Sequence, residues 1–135
     1  MWAFLAVWLM LFSSQPLPLE PVEVFDTDKE RVVSTFENSE KYQQAARMLL
    51  ASVTARVLEL NPPLTHAYIV KIPVVPPQRL EVPDAKIREE IVRMFVVMPK
   101  RGERKPYLIL HTKDNATLVV EFVEPVESLR KMVRL

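Results

Sequence analysis

The chain of 135 residues contains no cysteine and a single glycine, Gly102, and each shortage argues against a class of chemistry. Without cysteine there is no disulfide, thiolate nucleophile, Cys-ligated zinc or lipid-modified cysteine. Phosphate loops, dinucleotide turns and nucleophile elbows all need glycine where backbone meets ligand or takes positive φ, so one glycine argues against all three. An excess of charge is also lacking. Eighteen Lys and Arg against seventeen Asp and Glu leave a net charge of +1, and no global field draws nucleic acid or an acidic polymer. Nor is there an apolar run long enough to cross a bilayer. Residues 1–12 (MWAFLAVWLMLF) are uncharged, but a membrane core needs about twenty apolar residues.

What those twelve residues do fit is the apolar centre of a secretory signal, which needs only about 7–15. Ser13, Ser14, Pro16 and Pro18 then end any helix. Residues 1–20 are therefore expected to be a signal peptide or apolar leader, and residues 21–135 one domain, secreted or extracytoplasmic and membrane-associated. Two features run against cleavage: no Lys or Arg precedes the run, and no A-x-A site follows it. The alternatives are a helix folded into the core, with Trp2 and Trp8 as buried anchors, and an uncleaved anchor giving membrane association through residues 1–12.

Beyond the leader, residues 22–25 and 31–36 are β-prone and separated by a polar turn, which reads as a hairpin. From Asn38 or Ser39 as cap, Tyr42, Ala45, Ala46, Leu49, Leu50, Val53, Val57 and Leu60 recur at helical spacing, predicting one long helix that ends at Asn61-Pro62-Pro63. Strands are expected over 66–72, 91–98, 107–112 and 117–123, the last three as an antiparallel meander. Residues 73–83 are too rich in proline for a central strand and read as a stiff connector, with a helical turn near 84–90. A short helix opening at Pro125 carries Val126, Leu129 and Val133 inward.

Strand parity gives the sheet two faces. Tyr68, Val70, Ile72, Leu118, Val120 and Phe122 can pack on the helix. The opposite face carries Ile69, Phe95, Val97, Ile109, Val119 and Val123, interrupted by Lys71, Arg93, His111 and Glu121, which is apolar for a face in water. Its cover is expected to be the N-terminal hairpin or the C-terminal helix; otherwise it is a dimer or ligand surface. The predicted fold is thus a two-layer α+β domain, one long helix on an antiparallel sheet of about four to six strands, with a short C-terminal helix.

The order of Val22-x-Val-Phe-Asp26, a helix, Tyr68-Ile-Val-Lys-Ile-Pro73, Phe95-Val-Val-Met-Pro99 and Pro106-Tyr-Leu108 resembles small exported proteins of Bacillus-type Gram-positive bacteria, a group without assigned function. The resemblance implies export and no chemistry.

For chemistry, His66 and His111 have no carboxylate or second histidine at ligand spacing. Asp26, Asp28 and Glu30 lack the glycine of a calcium loop, since Arg31 stands in its place. Ser34, Ser39, Ser52 and Ser128 each read as surface, cap or helix positions, with no visible triad. No cofactor or metal is expected. The strongest local signal is Lys100, Arg101, Arg104 and Lys105 on one hairpin loop, four cations that can meet an anionic envelope component; the same cluster also serves as an ordinary solubilising loop. With Phe95 on the second sheet face, these form the candidate binding residues. The function expected is a non-catalytic extracytoplasmic domain binding a protein or envelope component, with a homodimer as one form of partner. The alternative is a small exported hydrolase or enzyme inhibitor without a recognisable motif.

Overall fold

A computed structural model describes residues 19–59, 62 and 64–135. The leader expected over residues 1–20, including the membrane association assigned to residues 1–12, falls almost wholly outside them. Strand β1 (Val22–Asp26) turns into β2 (Arg31–Phe36), and helix α1 (Glu40–Ala51) leads into β3 (Val53–Arg56). The long strands β4 (Ala67–Val82) and β5 (Ile87–Pro99) are joined by a 3₁₀ turn at Pro83–Ala85, and β6 (Tyr107–Thr112), β7 (Thr117–Phe122) and helix α2 (Glu127–Met132) follow. Among the described residues seven strands form one antiparallel sheet in the order β2-β1-β4-β5-β6-β7-β3.

This corrects the expected two-layer fold built on one long helix. Strand makes up 49% of the described residues and helix 18%, so the sheet organises the core and the helices fill its concave side. The helix predicted to reach Leu60 stops at Ala51. Ser52 closes it, its Oγ donating to the Leu49 carbonyl at 3.0 Å and accepting from the Glu124 amide at 3.0 Å. From there Val53 pairs with Phe122 and Arg56 with Val120. Helical spacing did not distinguish the two states, because Val53, Ala55 and Val57 also alternate with period two, and β-branched side chains suit a strand.

The proline segment is likewise strand rather than connector. Between Pro73 and Gln78 the β4–β5 register shifts, and side chains from around α1 replace the missing ladder bonds. Gln43 donates to the Pro73 carbonyl at 2.8 Å and accepts from the Val75 amide at 2.9 Å, while Asn38 donates to the same carbonyl at 3.2 Å. Both are buried polar residues, and burial is tolerable because their hydrogen bonds are made. Beyond this break β4 pairs again, with Gln78 opposite Ile91 and Val82 opposite Ile87. Arg56 of β3 donates to the Ala85 and Lys86 carbonyls at 2.9 and 3.1 Å. The sheet therefore curls until its β3 edge meets the far turn of the β4–β5 hairpin.

The concave core joins Val70, Ile72, Met94, Val96, Leu108 and Leu110 of the central strands to Tyr42, Ala46 and Leu49 of α1 and to Leu129 and Val133 at α2. The Tyr42 hydroxyl donates to the Met132 carbonyl at 3.3 Å and ties the two helices together. On the convex side a second cluster of Ala67, Val97 and Tyr107 is buried, with Val57, Ile69, Ile109 and Val119 packed on it. Its cover is not either segment expected from the sequence. The hairpin lies within the sheet as β1 and β2, and α2 packs into the concave core. Instead, Val57, which prolongs the β3 edge by donating to the Val119 carbonyl at 2.9 Å, packs on the convex cluster, and from there the chain must pass three strands to reach β4.

Candidate functional site

The crossing, the β1–β2 turn, the β5–β6 loop and the segment after β7 gather at one end of the sheet. There Asp26 faces inward at the end of β1, its side chain 4% exposed. A carboxylate so placed needs a partner. Lys100, the first residue after β5, supplies it: Nζ lies 2.6 Å from Asp26 Oδ1 and 2.9 Å from Asp28 Oδ2, and 4.4 Å from the centre of the Tyr68 ring. The Asp26 carboxylate also accepts the Asp28 amide at 2.9 Å, which fixes the turn. Hydrogen bonding from Lys100 holds both carboxyls below their ordinary range, and the two carboxylates raise the Lys100 ammonium above its own.

His66 continues this cluster. Its Nδ1 lies 2.7 Å from Asp28 Oδ1 and 2.6 Å from Arg101 Nη2. One ring nitrogen cannot donate to a carboxylate and accept from a guanidinium at once, so the tautomer selects between the two contacts. Arg104 pairs with Glu59 at 2.8 Å and stacks 5.0 Å from the Tyr107 ring centre. Lys105 is exposed, and among the described residues it has no ion-pair partner. Of the four loop cations, three thus face neighbours within the chain. Gly102, at φ 87°, takes the conformation that the loop tip needs from a glycine.

Phe95 stands apart from the loop. It is half-buried in mid-strand, opposite Lys71 and Ile109, with its ring edge-on to His111 at 5.0 Å. Pro99 lies four positions further on, about 13 Å along the strand. The structure therefore does not bring Phe95 and the cations into one site. His111 is held below its ordinary pKa by burial and then by Arg93.

What the sequence did not reveal is a trough at this same end. A cavity of about 450 Å³ lies between the crossing and the β5–β6 loop, bordered by Leu58, Arg104, Tyr107 and Glu121. A second, of about 480 Å³, is bordered by Pro125, Val126 and Glu127. Lys105, Pro106, Phe122 and Val123 line both, so the two run together. Leu58 is 94% exposed and Val123 72%, the highest exposures of any large apolar side chain among the described residues. Parity placed Val123 on the second face, but Leu58 was hidden within the predicted helix.

Among the described residues no group of three or more His, Asp or Glu is arranged to hold a metal ion. The Asp26–Asp28 pair encloses the Lys100 ammonium instead. The Ser52 hydroxyl is committed to the Leu49 carbonyl, and each histidine contacts groups other than a serine. No family model, curated protein or solved structure matches the chain.

Proposed function

We propose that this chain is a non-catalytic, extracytoplasmic binding domain that holds a segment of another protein in the trough between the crossing and the segment after β7. One observation carries the reading: the two most exposed large apolar side chains, Leu58 and Val123, border the same cavity. Scattered exposed apolar groups need no explanation, whereas a pair beside a concave apolar wall marks a surface suited to a partner. An anionic envelope polymer fits less well, because Lys100, Arg101 and Arg104 already face Asp26, His66 and Glu59. The apolar leader supports export.

The test is selection of peptides from a random library on the full chain, followed by affinity measurement on variants. Replacing Leu58 and Val123 together by Ser is expected to weaken the selected peptides by about tenfold or more. The thermal unfolding curve should stay in place, since both side chains are in solvent. Binding that survives this double variant but is lost in Phe95→Asp would move the site to mid-sheet and overturn the reading.

A further inference from the structure

We infer that the segment held in the trough is cationic as well as apolar; this rests on the trough being the binding site. Glu121, Glu124 and Glu127 line the joined cavities, and among the described residues none of them has an ion-pair partner. Glu59 and Arg104 neutralise one another across the first cavity. Among the described lining residues Lys105 is then the single cation without an ion-pair partner, beside three such carboxylates, and the trough carries excess negative charge although the whole chain is nearly neutral.

The placement of these groups defines what fits. Glu121 and Val123 lie two residues apart at the end of β7, so a carboxylate and an apolar group stand about 7 Å apart on one face. An extended partner segment repeats on the same spacing. Apolar side chains set against Leu58, Phe122 and Val123, with Lys or Arg between them, would bring each cation to a carboxylate beside a low-dielectric wall. There the attraction exceeds that of the same pair in open water. An acidic segment in the same place would set like charges together, which rejects it.

Two short end-blocked peptides serve as probes, one alternating leucine with lysine and the other leucine with glutamate, titrated into the full chain and followed by fluorescence anisotropy. The lysine peptide should bind about tenfold tighter or more, with the gap shrinking in molar salt. In the triple variant Glu121→Gln, Glu124→Gln, Glu127→Gln the two affinities should converge to within about twofold. A preference for lysine that survives the triple variant overturns the inference. If both peptides bind equally and both are lost in the Leu58→Ser, Val123→Ser variant, the trough stands and the charge rule falls. If that double variant changes neither titration, or neither peptide binds, the trough reading falls as well. Self-association that disappears in the double variant would make a second copy the occupant and would also overturn the inference.

Discussion

Lys100 was singled out in the sequence as one of four cations offered to a partner, and its neighbours give it a different task. Its ammonium bridges Asp26 and Asp28, residues 74 and 72 positions earlier, and fastens the β1–β2 turn to the end of β5. Nothing local in the sequence announces such a pairing, because it depends on which strands become neighbours. Lys100→Met should leave the inward Asp26 carboxylate uncompensated and lower Tm by several degrees. The pH dependence has a definite sign. Both carboxyls are depressed below their ordinary 3.8, so their contribution is complete above that value and is lost as pH falls through their lowered pKa values. Lys100 is raised above 10.5, so its contribution is complete below 10.5 and is lost only at more alkaline pH. The Tm gap between wild type and Lys100→Met should therefore be flat from about pH 5 to pH 9 and close on acidification toward about pH 2. A gap that persists in acid would show that the loss comes from packing on Tyr68 rather than from the ion pair. His111 adds a smaller effect at milder pH. Burial lowers its pKa from 6.5, so stability should decline as pH falls below that value, and His111→Gln should flatten the decline in a pH series of melts.

At the scale of elements, the pieces defined by nearby residues were legible. The β1–β2 hairpin, the β5–β6–β7 meander and the inward Val126, Leu129 and Val133 of the last helix all follow from alternation, turns and caps. The helical turn expected near 84–90 is confined to Pro83–Ala85, with strand from Ile87, and in two further misread elements a tertiary contact outweighed a local rule. Residues 53–56 became strand because β7 offered an edge, and the prolines of β4 were admitted because Gln43 and Asn38 satisfy the backbone where the ladder breaks. The second case gives a test. Gln43→Leu would leave the part-buried Val75 amide without its acceptor and remove one of the two side-chain donors to the buried Pro73 carbonyl, which keeps Asn38. The expected cost is about 1.5 kcal/mol by chemical denaturation, with the denaturant slope unchanged. A loss below about 0.5 kcal/mol would mean that water or a shifted strand satisfies those groups equally well.

The arrangement of the whole molecule was the least legible level, since the placement of β3 beyond β7 rests on pairing residues about 65 apart in sequence. That placement has a consequence for function: because β3 lies at one edge and β4 near the centre, the chain must cross the sheet, and as it leaves β3 Val57 packs on the convex cluster while Leu58 and Glu59 form one wall of the trough. Parity identified Val97 as a residue on an apolar second face, and the structure buries it as fully as Val96, its neighbour on the concave side, each 0% exposed. If the crossing is a fixed part of the fold, Val96→Ala and Val97→Ala should each cost about 2 kcal/mol, the lost transfer energy of two carbons plus a residual cavity. If the crossing lifts readily from the sheet, Val97 would behave as a surface residue and its truncation would cost under about 0.5 kcal/mol. The comparison bears on binding too, because a wall anchored by Val57 on the convex cluster presents Leu58 in a set position, whereas a wall that lifts must be ordered again each time a partner is held. Val97→Ala should accordingly weaken trough binding even though Val97 does not line the trough.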